Sequence, residues 1–250
     1  MQYGICHLSI VPLRNSSSAE GEMVSQILYG EHFKVLERRA HYSKIRNSHD
    51  SFEAWIDNKQ YRMIEESDYQ NLDGQTLQLS SDLIEFITDE KGLLMPIVLG
   101  SSVRFSEQLN HKFEGEYDNT SGRTKSDLII TASLYINTPQ TSGGRTPFGI
   151  DAAGFTQAVY RINGYKLDRE AASQAKQGEA LSFIEESEPG DLAFFDDQDG
   201  VINHVGMMMQ DNYIIHVDGK VRIDRIDHSG IFNTELQKHT HKLRVIKKII

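Results

Sequence analysis

The chemistry this chain offers is concentrated at one helix start and on two histidines. Gly143-Gly144-Arg145-Thr146-Pro147-Phe148 forms a Gly-rich loop, and Gly149-Ile150-Asp151-Ala152-Ala153-Gly154-Phe155 then opens a helical pattern. Downstream stand Gly190-Asp191-Leu192-Ala193-Phe194-Phe195, His204-Val205-Gly206 and Ile215-His216-Val217. A helix N-terminus leaves backbone N–H groups unpaired, and its dipole favours an anion, so a cysteine placed there becomes a thiolate. A neighbouring imidazole then acts as base, and a third group orients it. The position that would hold such a sulfur is Ala152, and a methyl group performs no nucleophilic step.

His204 and His216 fall on successive strands joined by a turn near Asp211-Asn212. A two-residue turn would put them on opposite faces of the sheet. An odd-length turn or one bulge puts them on the same face, so a working pair requires one of these. Ordinary strand histidines are the bland alternative. Asp151, His204 and His216 would also make a three-ligand zinc set, but spaced metal motifs are absent, so neither metal nor other cofactor is expected. His239-Thr240-His241 shares one strand face and reads as solvated. Cys6 lies in an apolar strand and reads as a buried free thiol, not a displaced nucleophile. Trp55 and Tyr29 fit barrel core as well as a ligand face. Asp196-Asp197-Gln198-Asp199-Gly200 resembles the start of a calcium loop but lacks the downstream Glu, so a hairpin turn is expected.

The elements that must position these groups change character along the chain. Residues 1–65 read as short strands at barrel spacing, including Phe33 to Glu37, Tyr42 to Arg46 and Ser51 to Asp57. Residues 66–122 read as a second small barrel, with strands at Leu77 to Leu79, Leu83 to Ile87, Leu93 to Val98 and Val103 to Phe105. The polar stretch Glu114 to Arg123 reads as a linker. From 123 to 250 the period switches. Ser126-Asp127 can cap a helix that Pro139 stops, a second helix starts at about Ala152, and strands return from Leu192 onward. Helices followed by an antiparallel sheet make an α+β domain.

The 250 residues carry 26 basic and 36 acidic side chains, a net charge of −10. That balance argues against nucleic acid and anionic membranes as partners. The short basic run Lys242 to Lys248 reads as a protected sheet edge. One cysteine excludes an intrachain disulfide and fits a reducing compartment. The first residues read as a strand and not as a signal peptide, and no run has the length of a membrane helix. A cytoplasmic protein is the expectation.

Taken together, these motifs resemble the NlpC family of bacterial cell-wall cysteine peptidases, in the form with N-terminal bacterial SH3-like domains. Family members usually read P-Y-L-W-G-G, then D-C-S-G-F, G-D-L-x-F-F, H-V-G and I-H-A-S-G. This chain reads Pro139-Gln140-Thr141-Ser142-Gly143-Gly144, then Asp151 to Phe155, Gly190 to Phe195, His204 to Gly206 and Ile215 to Gly219. The resemblance implies a papain-like NlpC-type domain behind two small SH3-like β-barrels. It implies that Ala152 sits at the nucleophile position, that His204 is the general base and that His216 orients it. Asp151 then matches the acidic residue that helps hold the substrate's free amine. The activity implied is cleavage of murein-derived peptides of the L-Ala-γ-D-Glu-diamino acid type, processed as recycled wall fragments.

The departures from that pattern are four. The Cys is Ala152, the following Ser is Ala153, and the aromatic pair of the loop is Gln140 and Ser142. Several changes around one pocket read as natural remodelling more than as one engineered deletion. Three readings follow: a family member that has lost peptidase chemistry and keeps a peptide groove with Asp151, Ala153, Gln140 and Ser142 along it; an engineered, silenced form of an active peptidase; or a hydrolase that uses His204 and His216 with a metal or an activated water.

Overall fold

The computed structural model describes residues 1–120 and 123–250. They form two compact units, Met1–Ser121 with Ser142–Pro147, and Gly122–Thr141 with Phe148–Ile250.

In the first unit, β1 (Gln2–Ile5), β2 (Ile10–Arg14), β3 (Met23–Leu28), β4 (His32–Arg38), β5 (Tyr42–Asn47), β6 (Glu53–Asp57) and β7 (Arg62–Ile64) form one antiparallel sheet in the order β3-β2-β6-β5-β4-β1-β7. Period-two burial builds its core. Val11 and Leu13 of β2 and Ala54 and Ile56 of β6 point inward with Ile27 and Ile45. Cys6 lies in that core, just after β1. Its thiol donates to the Leu8 carbonyl at 3.2 Å, and burial pushes it up to about 12. It is chemically inert, as its apolar setting suggested.

Residues 66–120 depart from a second all-strand barrel. They open with a helix, α1 (Glu66–Asp73), which the sequence reading did not anticipate. Strands β8 (Gln78–Ser80), β9 (Ile84–Thr88), β10 (Leu94–Val98), β11 (Lys112–Phe113) and β12 (Tyr117–Asn119) fall into two small sheets, β10-β9-β11 and β12-β8. Val103 to Phe105 is not a strand. It leads into a short 3-10 turn at Glu107–Leu109, because Val103, Phe105 and Leu109 are all needed on one side, in a core with Ile87, Ile97 and Leu72. Ile5 and Tyr29 join the same core, so both N-terminal regions fold as one unit. Part of the expected linker is ordered, since β12 pairs with β8. Its remainder at Ser121 and Gly122 lies outside the described residues.

The Gly-rich loop also joins this unit. Arg145 of β13 (Arg145–Thr146) is 2% exposed and pairs with the buried Glu31. Gly143 has φ +74°, and a Cβ there would fall 2.5 Å from the Met23 carbonyl oxygen, so no other residue fits that approach.

The second unit begins with α2 (Lys125–Ser133). Its cap is Thr124, two residues before the expected Ser126, because Thr124 and Asp127 complete a capping box. After β14 (Gly149–Ile150) comes α3 (Ala152–Ile162), buried along its whole length as the central helix of the unit. Then follow α4 (Ala171–Gln174), β15 (Glu179–Leu181), β16 (Leu192–Asp196), β17 (Ile202–Met208), β18 (Tyr213–Asp218), β19 (Lys220–Asp227), β20 (Gly230–Asn233) and β21 (Lys238–Lys248). The sheet order is β15-β21-β16-β17-β18-β19-β20, and β20 pairs back onto β21, which closes six strands on themselves. Phe195, Met208, Ile214, Ile226, Ile231 and Ile246 fill the enclosed side. The basic run Lys242 to Lys248 is therefore not a sheet edge. It is hydrogen-bonded on both sides, to β16 on one and to β15 and β20 on the other. The turn at Asp197 to Gly200 is a hairpin in which the Asp197 carboxylate accepts from the Asp199 and Val201 N–H groups, as expected.

Candidate active site

Ala152 is the first residue of α3, and Asp151 is its N-cap, accepting the Gly154 N–H at 2.6 Å. The helix start inferred from the sequence is therefore present to the residue. Ala152 and Ala153 are each 8% exposed. α3 packs on β17 and β18, the strands that carry the two histidines.

The register brings those histidines together. Gly206 pairs with His216, and Met208 with Ile214, which leaves a five-residue connection, 209–213. The odd length is made by a 3-10 turn, Gln210–Asn212, in which Asp211 (φ +58°) and Asn212 (φ +56°) adopt left-handed backbone. With that parity His204 and His216 share a face, one step apart diagonally. His204 Nε2 lies 3.0 Å from His216 Nδ1. Gly206 makes this possible, because a Cβ at 206 would sit 2.9 Å from His216 Cβ. The glycine of His204-Val205-Gly206 is thus the space into which the second histidine leans.

The relay continues beyond what the sequence reading found. His216 Nε2 lies 3.0 Å from Asp224 Oδ2, and Arg222 grips both oxygens of Asp224 at 2.7 and 3.1 Å. An ionised carboxylate only accepts, so His216 carries its proton on Nε2 and accepts from His204 through Nδ1. His204 then holds its proton on Nε2 and presents Nδ1 as the basic nitrogen. Burial raises the Asp224 carboxyl, but hydrogen bonds from His216 and Arg222 outweigh it and hold it below the usual carboxylate range. His204, 7% exposed, is driven well below the ordinary imidazole value by burial first, and then by the neighbouring His241 and His216. It rests neutral, the form in which it can take a proton. Asp224 was recoverable from register arithmetic: it shares strand parity with Arg222, which lies directly opposite His216.

His241 is a correction. The sequence reading left it solvated with His239. It is half-buried and stacks on His204 with ring centroids 4.0 Å apart. The closed sheet carries β21 round to that face, which no local pattern reveals. His239 does stay exposed, paired with Asp227. Ring nitrogens of His204, His216 and His241 all lie within 4.8 Å of one another. Asp151 does not join them as the third member of a metal set. Both of its oxygens are held by the buried Arg169, at 3.0 and 2.6 Å. Arg169 was missed, and nothing in its local sequence marks it.

The loop residues are less concerted. Gln140 is exposed, and its carboxamide oxygen accepts the Gly219 N–H at 2.8 Å, which leaves its NH2 as the donor end. Ser142 is an exposed turn residue belonging to the first compact unit. Ala153 contributes its carbonyl, which accepts from Gln174 and Thr156.

Residues 137–244 match the NlpC/P60 family, and residues 13–60 match the bacterial dipeptidyl-peptidase Sh3 domain. The chain is 34% identical over 95 residues to the gamma-D-glutamyl-L-lysine dipeptidyl-peptidase of Bacillus subtilis, covering 37% of this chain and 32% of that protein. It is 33% identical over 104 residues to the probable endopeptidase p60 of Listeria innocua, 41% of this chain and 22% of that one. The chain thus spans a third or less of the length of these curated relatives. An NlpC/P60 family protein from Bacillus cereus has the same fold over 99% of both chains, with a TM-score of 0.78 at 15% identity. An NlpC/P60 endopeptidase from Photobacterium damselae superposes with a TM-score of 0.65 at 13% identity, covering 97% of this chain and 70% of that one.

Proposed function

Since residues 137–244 belong to the NlpC/P60 family and a bacterial SH3 domain precedes them, we propose that this protein binds murein-derived peptides of the L-Ala-γ-D-Glu-diamino acid type and does not cleave them through a thiol. The observation that carries the reading is the pairing of an intact relay with a missing nucleophile. His204, His216 and Asp224 are linked in series at 3.0 Å each, while the first residue of the helix that packs on their strands is Ala152. Without sulfur there is no acyl-enzyme. Removing the nucleophile from a comparable triad lowers kcat by about 10⁶-fold.

The ligand class is supported by the likeness to the Bacillus subtilis gamma-D-glutamyl-L-lysine dipeptidyl-peptidase. Asp151 is the group nearest in type to an amine anchor, although Arg169 and the Gly154 N–H already occupy it. A reducing, cytoplasmic site of action, on recycled wall fragments, is supported by the single buried cysteine.

Titration calorimetry with L-Ala-γ-D-Glu-diaminopimelate, followed by chromatography of the mixture, tests both halves. Saturable heat with no L-Ala-D-Glu released is the expected result. A flat trace removes the binding half, and stoichiometric turnover removes the other.

A further inference from the structure

We infer that His204, His216 and His241 form a binding site for one divalent transition-metal ion of the zinc type. Three neutral-capable imidazoles converge from three strands of one closed sheet. Imidazole nitrogens select this class of ion over calcium or magnesium, which take oxygen ligands. The peptide-binding proposal does not require a metal.

The distances suit the ion. Three atoms 4.8 Å apart would lie about 2.8 Å from their common centre, and 4.8 Å is the outer limit of this set. Zn–N bonds are about 2.0–2.1 Å, so each ring nitrogen has at most about 0.8 Å to travel. His204 Nε2 and His216 Nδ1, 3.0 Å apart, are already near the roughly 3.3 Å that two ligands subtend on a tetrahedral ion. His204 and His241 stack with their planes 26° apart, so the His241 ring, the half-buried member of the three, must turn before both lone pairs meet at one ion.

The surroundings supply what ligating histidines need. His216 spends Nε2–H on Asp224, which is itself fixed by Arg222, so its Nδ1 lone pair is aimed inward. A carboxylate behind a ligating histidine sets its tautomer and raises its basicity. For His204 to ligate through Nε2, its proton moves to Nδ1, a tautomer change that leaves the ring neutral. Three protein ligands leave a fourth position for water or for a ligand oxygen.

Untagged, chelator-stripped protein titrated with Zn²⁺ against a chromophoric chelator is expected to bind one ion per chain. Co²⁺ is expected to give d–d absorption of tetrahedral intensity. His241→Ala should weaken Zn²⁺ binding at least about 100-fold, and Asp224→Asn by about 10–100-fold. His239→Ala, on the same strand but exposed and paired with Asp227, should leave it unchanged. Circular dichroism confirms that each variant is folded. If His241→Ala fails to fold, the conservative His241→Gln takes its place with the same expectation. The site is refuted if wild-type binding is not stoichiometric, or if folded variants of His241 bind as tightly as wild type. Peptide calorimetry on the stripped protein separates this result from the ligand-groove proposal, because that reading predicts peptide binding with no metal present.

Discussion

Replacing Ala152 with Cys asks whether this helix start still activates a thiol. An ordinary cysteine titrates near 8.5, and catalytic ones at about 3.5–7.5. At the N-terminus of α3 the helix dipole contributes about 0.3–2 kcal/mol to an anion. At about 1.36 kcal/mol per pH unit, that lowers the thiol by about 0.2–1.5 units, to about 7–8.3. The Asp151 carboxylate beside it would oppose the thiolate, but Arg169 grips both of its oxygens and offsets its charge. Anything lower must come from His204 acting as an imidazolium partner, and burial opposes that. The dipole alone therefore places the inflection in alkylation rate against pH for Ala152→Cys at about 7–8.3, and any drop below 7 reports a contribution from His204. Adding His204→Gln should leave only the dipole's contribution, with the inflection at about 7–8.3. Turnover of the murein peptide is a separate readout. An oxyanion-hole donor is worth about 10²–10³ in kcat. With Gln140 in place of the family's aromatic residue and its oxygen engaged by Gly219, the revertant should gain thiol reactivity while remaining at least 100-fold below an active relative. An inflection at 8.5 or above, indifferent to His204→Gln, would sink the assignment of residue 152 as the nucleophile position. Full turnover by the single revertant would instead refute a rebuilt pocket and favour a silenced peptidase.

Gly206→Ala should destabilise the protein by about 1–3 kcal/mol through overpacking, since the new Cβ would meet His216 Cβ at 2.9 Å and Ile214 Cδ1 at 2.7 Å; urea denaturation measures it, and an unchanged midpoint would show that the histidines have room to spare. Asp151→Ala removes the carboxylate that the Arg169 guanidinium, 4% exposed, grips through both oxygens, and should cost about 3–5 kcal/mol, with the double substitution Asp151→Ala, Arg169→Met recovering much of that loss in the same assay. Stability should fall as pH drops below about 6.5. His204 and His241 are both held below the ordinary imidazole value, mainly by burial, so the unfolded chain binds their protons first and each contributes up to about 1.4 kcal/mol per pH unit of loss. Unfolding midpoints between pH 7.5 and 5 should flatten in His204→Gln, and an identical slope would mean that His204 is protonated in the folded state.

The sequence determined the parts and their order. The Gly149 to Phe155 stretch announced a helix start, and the start of α3 needs nothing more distant than the Asp151 carboxylate accepting the Gly154 N–H. The strands carrying His204 and His216 were legible in the sequence, and parity stated in advance that only an odd connection or a bulge could pair them. What tertiary structure decided was everything that depends on closure and burial. The 3-10 turn at Gln210–Asn212 supplied the odd count. Pairing of β20 with β21 brought His241 against His204, across a sequence separation that no local period can bridge. Arg169 took Asp151 from a site eighteen residues away in sequence, and one shared core joined the helix and two small sheets of residues 66–120 to the first barrel. Local backbone preferences and side-chain periodicity are written residue by residue. Which charges meet, and which histidines lose their water, is settled only when distant strands share an interior.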